Sequence, residues 1–436
     1  MWKTGTTILL VKWAQSSRND DQTLMIRSTS RQATDALERI YSYLQTEDSS
    51  MGYFDKKIDK ASSDLYFYYY GMLQHQQNML QDYIRTGTYF AAITENEMDF
   101  NGKVVMDVGC GSGILSLFAA QAGAKVIYAV EASSMAEFAI KLVNANPELG
   151  RRIKIIQGKV EEVDIPEKID VLISEPMGTM LVNERMLESY FFARDRYLTQ
   201  EGKMFPNAGT IYISAFTDDI LYDEMTSKSL FWQQNEFYGV DLTCLHQPAY
   251  SSYFTQVVID QIPPHVLVSN CCLHRVDFAT CSEEDLYDFE IPLELQIVSP
   301  CAVHGIATWF DVNFDGSAVQ RVLSTAPDMP VTHWFQLRCV LQTPITISKA
   351  GDIIKGKVRL KAHERQSYDI FVELTGPPDP TDTTLKPQFS SGKFDLKEPY
   401  YRQLTYAGQG IWDGTTDAYE QPIQEEQQFD PNQFLV

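Results

Sequence analysis

The sequence predicts an α/β domain built on a mostly parallel sheet, followed by an antiparallel β-barrel or sandwich. Between about 61 and 206, short apolar strands alternate with helical patterns, and a glycine-rich turn follows the first of those strands. Beyond Pro206 the apolar residues recur with a period of two. Alternating strand and helix signals a parallel sheet covered on both faces, and period-two runs signal antiparallel strands with one buried face.

The first 46 residues read as two strands, Thr6 to Ala14 and Thr23 to Ser28, and then a helix. In that helix Ala33, Leu37, Ile40, Tyr41 and Leu44 form a stripe behind Ser30 as N-cap. Two strands and one helix bury little core alone, so this segment is expected to pack on something larger. Residues 47–60 read as a polar linker. A helical stretch rich in aromatic residues, Leu65 to Arg85, opens the α/β region; strands are expected at 103–108, 124–130, 152–157 and 169–174.

After Pro206, strands are expected at Thr210 to Phe216, Phe289 to Val298, Ala302 to Phe314, Thr332 to Leu341, Asp352 to Leu360 and Ser367 to Leu374. A helical insertion rich in Leu, Met, Phe and Trp, about Asp218 to Phe237, interrupts them. From Gly376 to Val436 Pro, Gly, Gln, Thr and Asp dominate, which predicts a largely disordered acidic tail.

The chain of 436 residues carries 58 acidic against 36 basic side chains, a formal charge of -22. Phosphate contacts need clustered Lys and Arg, so direct nucleic-acid binding is not expected; basic partners would be attracted. No run approaches the ~20 apolar residues of a bilayer-spanning helix, so no membrane association is expected. The seven cysteines and seven histidines are scattered, without metal-ligand spacing, so reduced thiols and no metal site are expected.

The chemistry gathers in the α/β half. Val104-Val105-Met106-Asp107-Val108 runs straight into Gly109-Cys110-Gly111-Ser112-Gly113, and a helix follows from Ile114. Glycines there let backbone N–H groups approach a ligand in front of a helix N-terminus. The spacing is G-x-G-x-G and not the dinucleotide G-x-G-x-x-G, which favours a smaller nucleoside ligand. Glu131 ends the next strand, 22 residues after Gly109, where a carboxylate would accept from ribose hydroxyls. Glu161 and Glu162 follow the third strand, and either could accept from an exocyclic amine. After the fourth strand, Glu175 and Glu184 flank a loop holding Pro176 and Gly178. Two facing carboxylates repel unless a cation lies between them, and a planar guanidinium offers donors to both. The spacing alone equally suits a solvated loop with incidental acids.

Together these stretches resemble the protein arginine methyltransferase family, most closely its coactivator-associated, type I branch, over about residues 61–375. The resemblance rests on Tyr66-Phe67-Tyr68-Tyr69-Tyr70, the turn Val108 to Gly113, Ala129-Val130-Glu131, the double-glutamate loop Glu175 to Glu184, and Thr332-His333-Trp334. It implies a Rossmann-like S-adenosylmethionine-dependent methyltransferase domain at 61–206. It also implies a β-barrel substrate domain at 207–375 with a helical dimerisation arm at about 217–245, and a partial pleckstrin-homology-like segment at 1–46.

The implied cofactor is S-adenosyl-L-methionine, with no metal. The implied catalytic set is Glu175 and Glu184 on the guanidinium, with His333 and Asp82 beside them. The implied cofactor neighbours are Tyr70, Gln76, Met79, Arg85, Gly109, Gly111, Glu131, Val160, Glu161, Met186 and Ser189; Arg85 would meet the methionine carboxylate. Met79, flexible where symmetric methylators carry phenylalanine, implies mono- and asymmetric dimethylarginine. Implied partners are a second copy of the chain and arginine-containing basic proteins such as histones, RNA-binding proteins and transcriptional coactivators, in nucleus and cytoplasm. A small-molecule methyltransferase and a non-catalytic transcriptional scaffold are the alternatives. Thr179 departs from the pattern, standing where near relatives carry an aromatic residue.

Overall fold

The structure is a computed structural model that describes residues 8–13, 22–27, 52–379, 381 and 386–402. The N-terminal strands β1 (Ile8–Trp13) and β2 (Gln22–Arg27) pair antiparallel as expected. The expected helix behind them, and residues 403–436 of the expected tail, lie outside the described residues.

The α/β region begins earlier than its patterning suggests. Phe54 and Ile58 are buried, so the second half of the expected linker is packed chain. The aromatic helical stretch is three helices: α1 (Lys60–Tyr70), α2 (Leu73–Gln81) and α3 (Tyr83–Thr94). Gly71 closes the first, and Asp82 caps the third by accepting from the Arg85 backbone N–H at 2.9 Å.

Strands β3 (Val104–Val108), β4 (Val126–Glu131), β5 (Ile153–Gln157) and β6 (Ile169–Ser174) fall where the apolar runs place them. Helices α4 (Ile114–Gln121) and α5 (Met135–Ala145) lie between the first three. A fifth strand, β7 (Leu198–Phe205), was hidden by its polar first half and Gly202; only Met204 and Phe205 are buried. It follows α6 (Met186–Tyr197), and the parallel order is β5-β4-β3-β6-β7. The chain winds outward from β3 in one direction and then restarts at β6 in the other. The carboxyl ends of β3 and β6 therefore flank the crevice where such sheets bind ligands.

The barrel comprises β8 (Ala208–Phe216), β9 (Gln256–Asp260), β10 (Cys272–Asp277), β11 (Asp288–Gln296), β12 (Cys301–Asp315), β13 (Gln320–Ser324), β14 (Gln336–Ile347), β15 (Ile353–His363), β16 (Ser367–Pro378) and β17 (Pro387–Tyr401). Its order is β10-β8-β12-β14-β9-β17-β16-β15-β11, with β13 hairpinned on β12. Asn270 and Cys272 bond to Glu294 and Gln296, which nearly closes β10 on β11. Between β8 and β9 stands the helical insertion, α7 (Asp219–Ser227), a 3₁₀ stretch to Gln233, and α8 (His246–Tyr253). It extends past the expected end at 245.

The expected tail is corrected up to Arg402. β17 pairs with β16 in register, Ile370 opposite Phe394, and buries Ser390, Phe394 and Leu396. A few inward positions suffice for a strand, although Pro, Thr and Asp dominate the stretch just before it. The strand expected from Thr332 starts only at Gln336, because Phe335 turns the chain at φ 51°. One continuous apolar core joins sheet and barrel, running from Val105 and Ile173 through Phe205 to Ile211, Phe310 and Leu337. Among the described residues no helix is long and apolar enough to cross a membrane.

Candidate functional site

The site follows from strand register. Val108 lies opposite Ser174 in the parallel pair β3–β6, so Gly109 and Glu175 leave neighbouring strand ends side by side. The Ser174 hydroxyl ties the two ends by donating to the Val108 carbonyl at 2.7 Å.

At the glycine turn, Gly109, Gly111 and Gly113 all hold positive φ, 67°, 53° and 84°. A side chain at Gly111 would meet the Gln76 amide oxygen at 2.7 Å. That oxygen accepts from Ser112 N–H, so Gln76 braces the turn from α2. Glu131, at the end of β4, accepts from Gly111 N–H at 2.8 Å and Ser133 N–H at 2.7 Å. A carboxylate has about four acceptor directions, so two remain for hydroxyls of a ligand.

The loop between Glu175 and Glu184 is held in a strained conformation. Met180, Leu181, Glu184 and Arg185 all have φ between 57° and 70°, a region non-glycine residues avoid. Gly178 must be glycine, since a Cβ there would meet the Asn183 carbonyl oxygen at 2.2 Å. Helix α3 and the barrel fix the loop from outside: Tyr89 donates to the Ser174 carbonyl at 2.8 Å and the Trp334 indole to the Met177 carbonyl at 2.9 Å. Tyr70 from α1 donates to Glu184 at 2.7 Å.

Both glutamates line one cavity of about 270 Å³. Glu175 accepts from the Arg85 guanidinium at 2.9 and 3.1 Å, with both bonds on a single carboxylate oxygen. Among the described residues no cation forms an ion pair with Glu184, and the Lys397 charge acts on it only from farther off. Burial lifts its pKa to about 6; the Tyr70 bond partly opposes that rise and the Glu175 charge adds to it. The pair plus Arg85 therefore carries one net negative charge, which falls on Glu184 and is partly offset by the more distant Lys397.

Barrel and helix meet beside this charge. Asp82 accepts from His333 twice, from its backbone N–H at 2.8 Å and from ring Nδ1 at 2.7 Å. Burial works against the Asp82 carboxylate, but these bonds and the Arg85 N–H outweigh it and lower its pKa. With Nδ1 engaged, Nε2 is the nitrogen left to exchange a proton.

Of the residues singled out in the sequence, Tyr70, Gln76, Met79, Arg85, Gly109, Gly111, Glu131, Val160, Glu161, Glu175, Glu184, Met186, Ser189 and His333 all line this cavity. Asp82 stands behind His333. Glu161 and Glu162 are now distinguished: Glu161 is buried and accepts from the Ser189 hydroxyl at 2.7 Å, with its pKa raised by burial, whereas Glu162 is exposed. The partner the structure shows for Arg85 is Glu175. Phe54, Gln366 and Tyr401 also line the cavity and carried no sequence signal, since each belongs to a segment read as linker, strand turn or tail. The orphaned Ser112 hydroxyl, buried and without a partner, lines it too.

A nucleoside-type parallel sheet, a glycine turn with its acid at the next strand, and a barrel that brings a histidine beside paired glutamates define a Rossmann-like domain joined to a β-barrel domain. The family model described as the arginine methyltransferase oligomerization subdomain matches residues 207–375, and that for ribosomal protein L11 methyltransferase (PrmA) matches 86–184. The crystal structure of Arabidopsis thaliana protein arginine methyltransferase 10 is similar with a TM-score of 0.67 and 30% identity, over 76% of this chain and 100% of that one. The Trypanosoma brucei PRMT1 enzyme-prozyme heterotetrameric complex with AdoHcy gives 0.65 and 31%, over 75% and 99%. The chain belongs to the protein arginine methyltransferase family. It is 56% identical over 351 residues to the probable histone-arginine methyltransferase CARM1 of Oryza sativa subsp. indica, covering 80% of this chain and 66% of that protein. To the histone-arginine methyltransferase CARMER of Drosophila yakuba it is 48% identical over 349 residues, covering 80% and 64%. The chain thus spans slightly less than two thirds of the curated relatives it matches.

Proposed function

We propose that this chain transfers methyl groups from S-adenosyl-L-methionine to guanidinium nitrogens of arginine in basic proteins, histones among them. One observation carries the reading: two glutamates on a strained loop share a cavity with the glycine turn, and one of them has no ion pair among the described residues. The names of the relatives and the AdoHcy complex of a structural neighbour support it.

The residues present fit the cofactor. Gly109 and Gly111 leave the turn bare, Glu131 keeps acceptor capacity for ribose hydroxyls, Glu161 with Ser189 would receive an adenine amine, and the buried Ser112 hydroxyl has no partner among the described residues. Bound there, the cofactor supplies an electrophilic methyl on a sulfonium. Arginine arrives protonated, with a pKa of roughly 12.5–13.8, and is a poor nucleophile. Glu184 and the second oxygen of Glu175 hold it, fix one terminal nitrogen and balance the positive charge of the site. Such alignment is worth at most about 7–11 kcal/mol. A proton lost from the methylated nitrogen passes to a carboxylate or to His333 Nε2, whose ring Asp82 orients.

Met79 is buried in the cavity wall on α2, and its flexible thioether leaves room for a monomethylated guanidine to turn. The products expected are mono- and asymmetric dimethylarginine. Dimerisation belongs to the same reading: the insertion exposes Ile220, Phe231 and Tyr238, and α1–α3 expose Tyr68, Leu73 and Tyr83. So does a distribution over nucleus and cytoplasm, which imaging of the tagged chain tests. The deciding experiment is transfer from labelled S-adenosylmethionine to an arginine peptide panel with mass spectrometry of the products. Absence of transfer to any arginine, or symmetric dimethylarginine alone, contradicts the proposal.

A further inference from the structure

The end of β17 reaches the cavity by an insecure route. After Asp395 its pairing with β9 is interrupted, and only Tyr400 and Tyr401 re-engage, opposite Val258 and Ile259. Arg402 N–H then donates to the Ile259 carbonyl at 3.0 Å. Tyr401, 62% exposed, lines the rim of the cavity, and its phenol pKa is raised by desolvation of the hydroxyl end and by the Glu184 charge. These two backbone pairs and the Gln256 amide on the Glu398 carbonyl, at 3.3 Å, are a weak anchor for a residue near Glu184.

A side-chain clamp adds to them from the helical insertion. Glu224 on α7 accepts from the Tyr400 hydroxyl at 2.9 Å with one oxygen and from Arg402 Nε at 2.8 Å with the other. It therefore grips both chain neighbours of Tyr401. Lys228, one turn along, lies 3.5 Å over the Tyr400 ring and 3.6 Å from Glu224. Behind the clamp, fully buried Arg338 bonds Asp218 at 2.6 Å and Asp260 at 2.5 Å. Asp218 caps α7 by accepting from Leu221 N–H, and Arg402 stands 3.8 and 3.6 Å from these same two aspartates. The base of the insertion, β9, β14 and the end of β17 thus share one charge-balanced cluster. Removing one member leaves buried charge uncompensated.

We infer that Glu224 is a positioning residue for the cavity: it holds the end of β17, and through it Tyr401, beside Glu184, so that the seating of the insertion sets the substrate entrance. The inference rests on the proposed reaction for its consequence but not for its geometry. The test pairs Glu224→Ala and Glu224→Gln with the full chain. Amide hydrogen exchange over 396–402 should rise at least about tenfold in Glu224→Ala and less in Glu224→Gln, which keeps an acceptor. The KM for an arginine peptide should rise by a similar factor, with kcat and cofactor affinity changed less than about threefold. Tyr401→Ala should reproduce the KM effect while leaving exchange in α7 unchanged. Unchanged exchange over 396–402 overturns the clamp, and raised exchange with unchanged KM overturns its link to the cavity. A general rise in exchange with loss of cofactor binding overturns it as well, by showing a folding lesion instead. Were the unaltered chain to methylate no arginine, the proposed reaction would fall, while the exchange comparison would still decide the clamp.

Discussion

Replacing Glu184 by Gln removes the negative charge of the glutamate pair that has no ion pair among the described residues, and changes almost nothing else. Glu175 is already engaged by Arg85, so the three groups pass from a net single negative charge to none. A guanidinium entering beside a sulfonium then finds no counter-charge of its own. Breaking one partner of a buried charged pair costs about 3–5 kcal/mol, or roughly 10²- to 10⁴-fold. That loss should fall on kcat/KM for an arginine peptide, because the proposed reaction assigns Glu184 to the guanidinium and the glycine turn to the cofactor. Stability should move the other way. Burial raises the carboxyl pKa to about 6, so an ionised Glu184 is held at neutral pH at a cost on the order of 2 kcal/mol in the ligand-free protein. Glutamine is neutral and of the same shape, and the Tyr70 hydroxyl still finds its carbonyl oxygen. The variant should therefore unfold at the same or a higher temperature, bind S-adenosylmethionine within threefold of the unaltered chain, and transfer methyl groups at least about 100-fold less efficiently. Steady-state kinetics, calorimetric cofactor binding and thermal unfolding read the three quantities. Peptide turnover within tenfold of the unaltered chain would refute the reasoning.

Other consequences follow from the same contacts. A carboxyl raised to about 6 favours the folded state most below its unfolded pKa, and this contribution is lost as pH rises through 6. A bound guanidinium draws Glu184 back to its ionised form, so peptide binding at pH 5.5 should release a proton, seen by calorimetry in buffers of different ionisation enthalpy; no release would count against the assignment. Asp82→Asn keeps the α3 cap but loses the charge that orients His333, so kcat should fall roughly 10- to 100-fold while peptide KM moves little; an unchanged pH–rate profile would make His333 a purely structural bridge. Gly178→Ala places a Cβ against the Asn183 carbonyl and should distort the double-glutamate loop. Peptide turnover should then be lost with cofactor affinity kept within threefold, and preserved turnover would show that the loop's shape does not matter.

How much of this was legible in the sequence varies with the kind of signal. The four apolar runs from Val104 to Ser174 could only be strands, and the glycines after the first fixed where the crevice would lie. The double-glutamate loop was visible as spacing. Its left-handed residues were not, because Met180, Leu181, Glu184 and Arg185 adopt that conformation only under the hold of Tyr70, Tyr89 and Trp334 from distant segments. Strands β7 and β17 escaped notice because each buries only a few side chains and is otherwise polar. β7 at the sheet edge and β17 between β9 and β16 each have few inward positions, so composition outvotes pattern there. Missing β17 also concealed Tyr401, while Gln366 sits in the turn between β15 and β16; the place of both in the cavity depends on how the barrel packs and not on any local motif. Glu161 and Glu162 could be separated only by burial.

A structure of the chain with S-adenosylhomocysteine and an arginine peptide would test the central claim most directly. It should show the guanidinium within hydrogen-bonding distance of both Glu175 and Glu184, with ribose on Glu131 above the turn at Gly109–Gly113. A nucleoside seated elsewhere, or the two carboxylates turned apart with no cation between them, would contradict it.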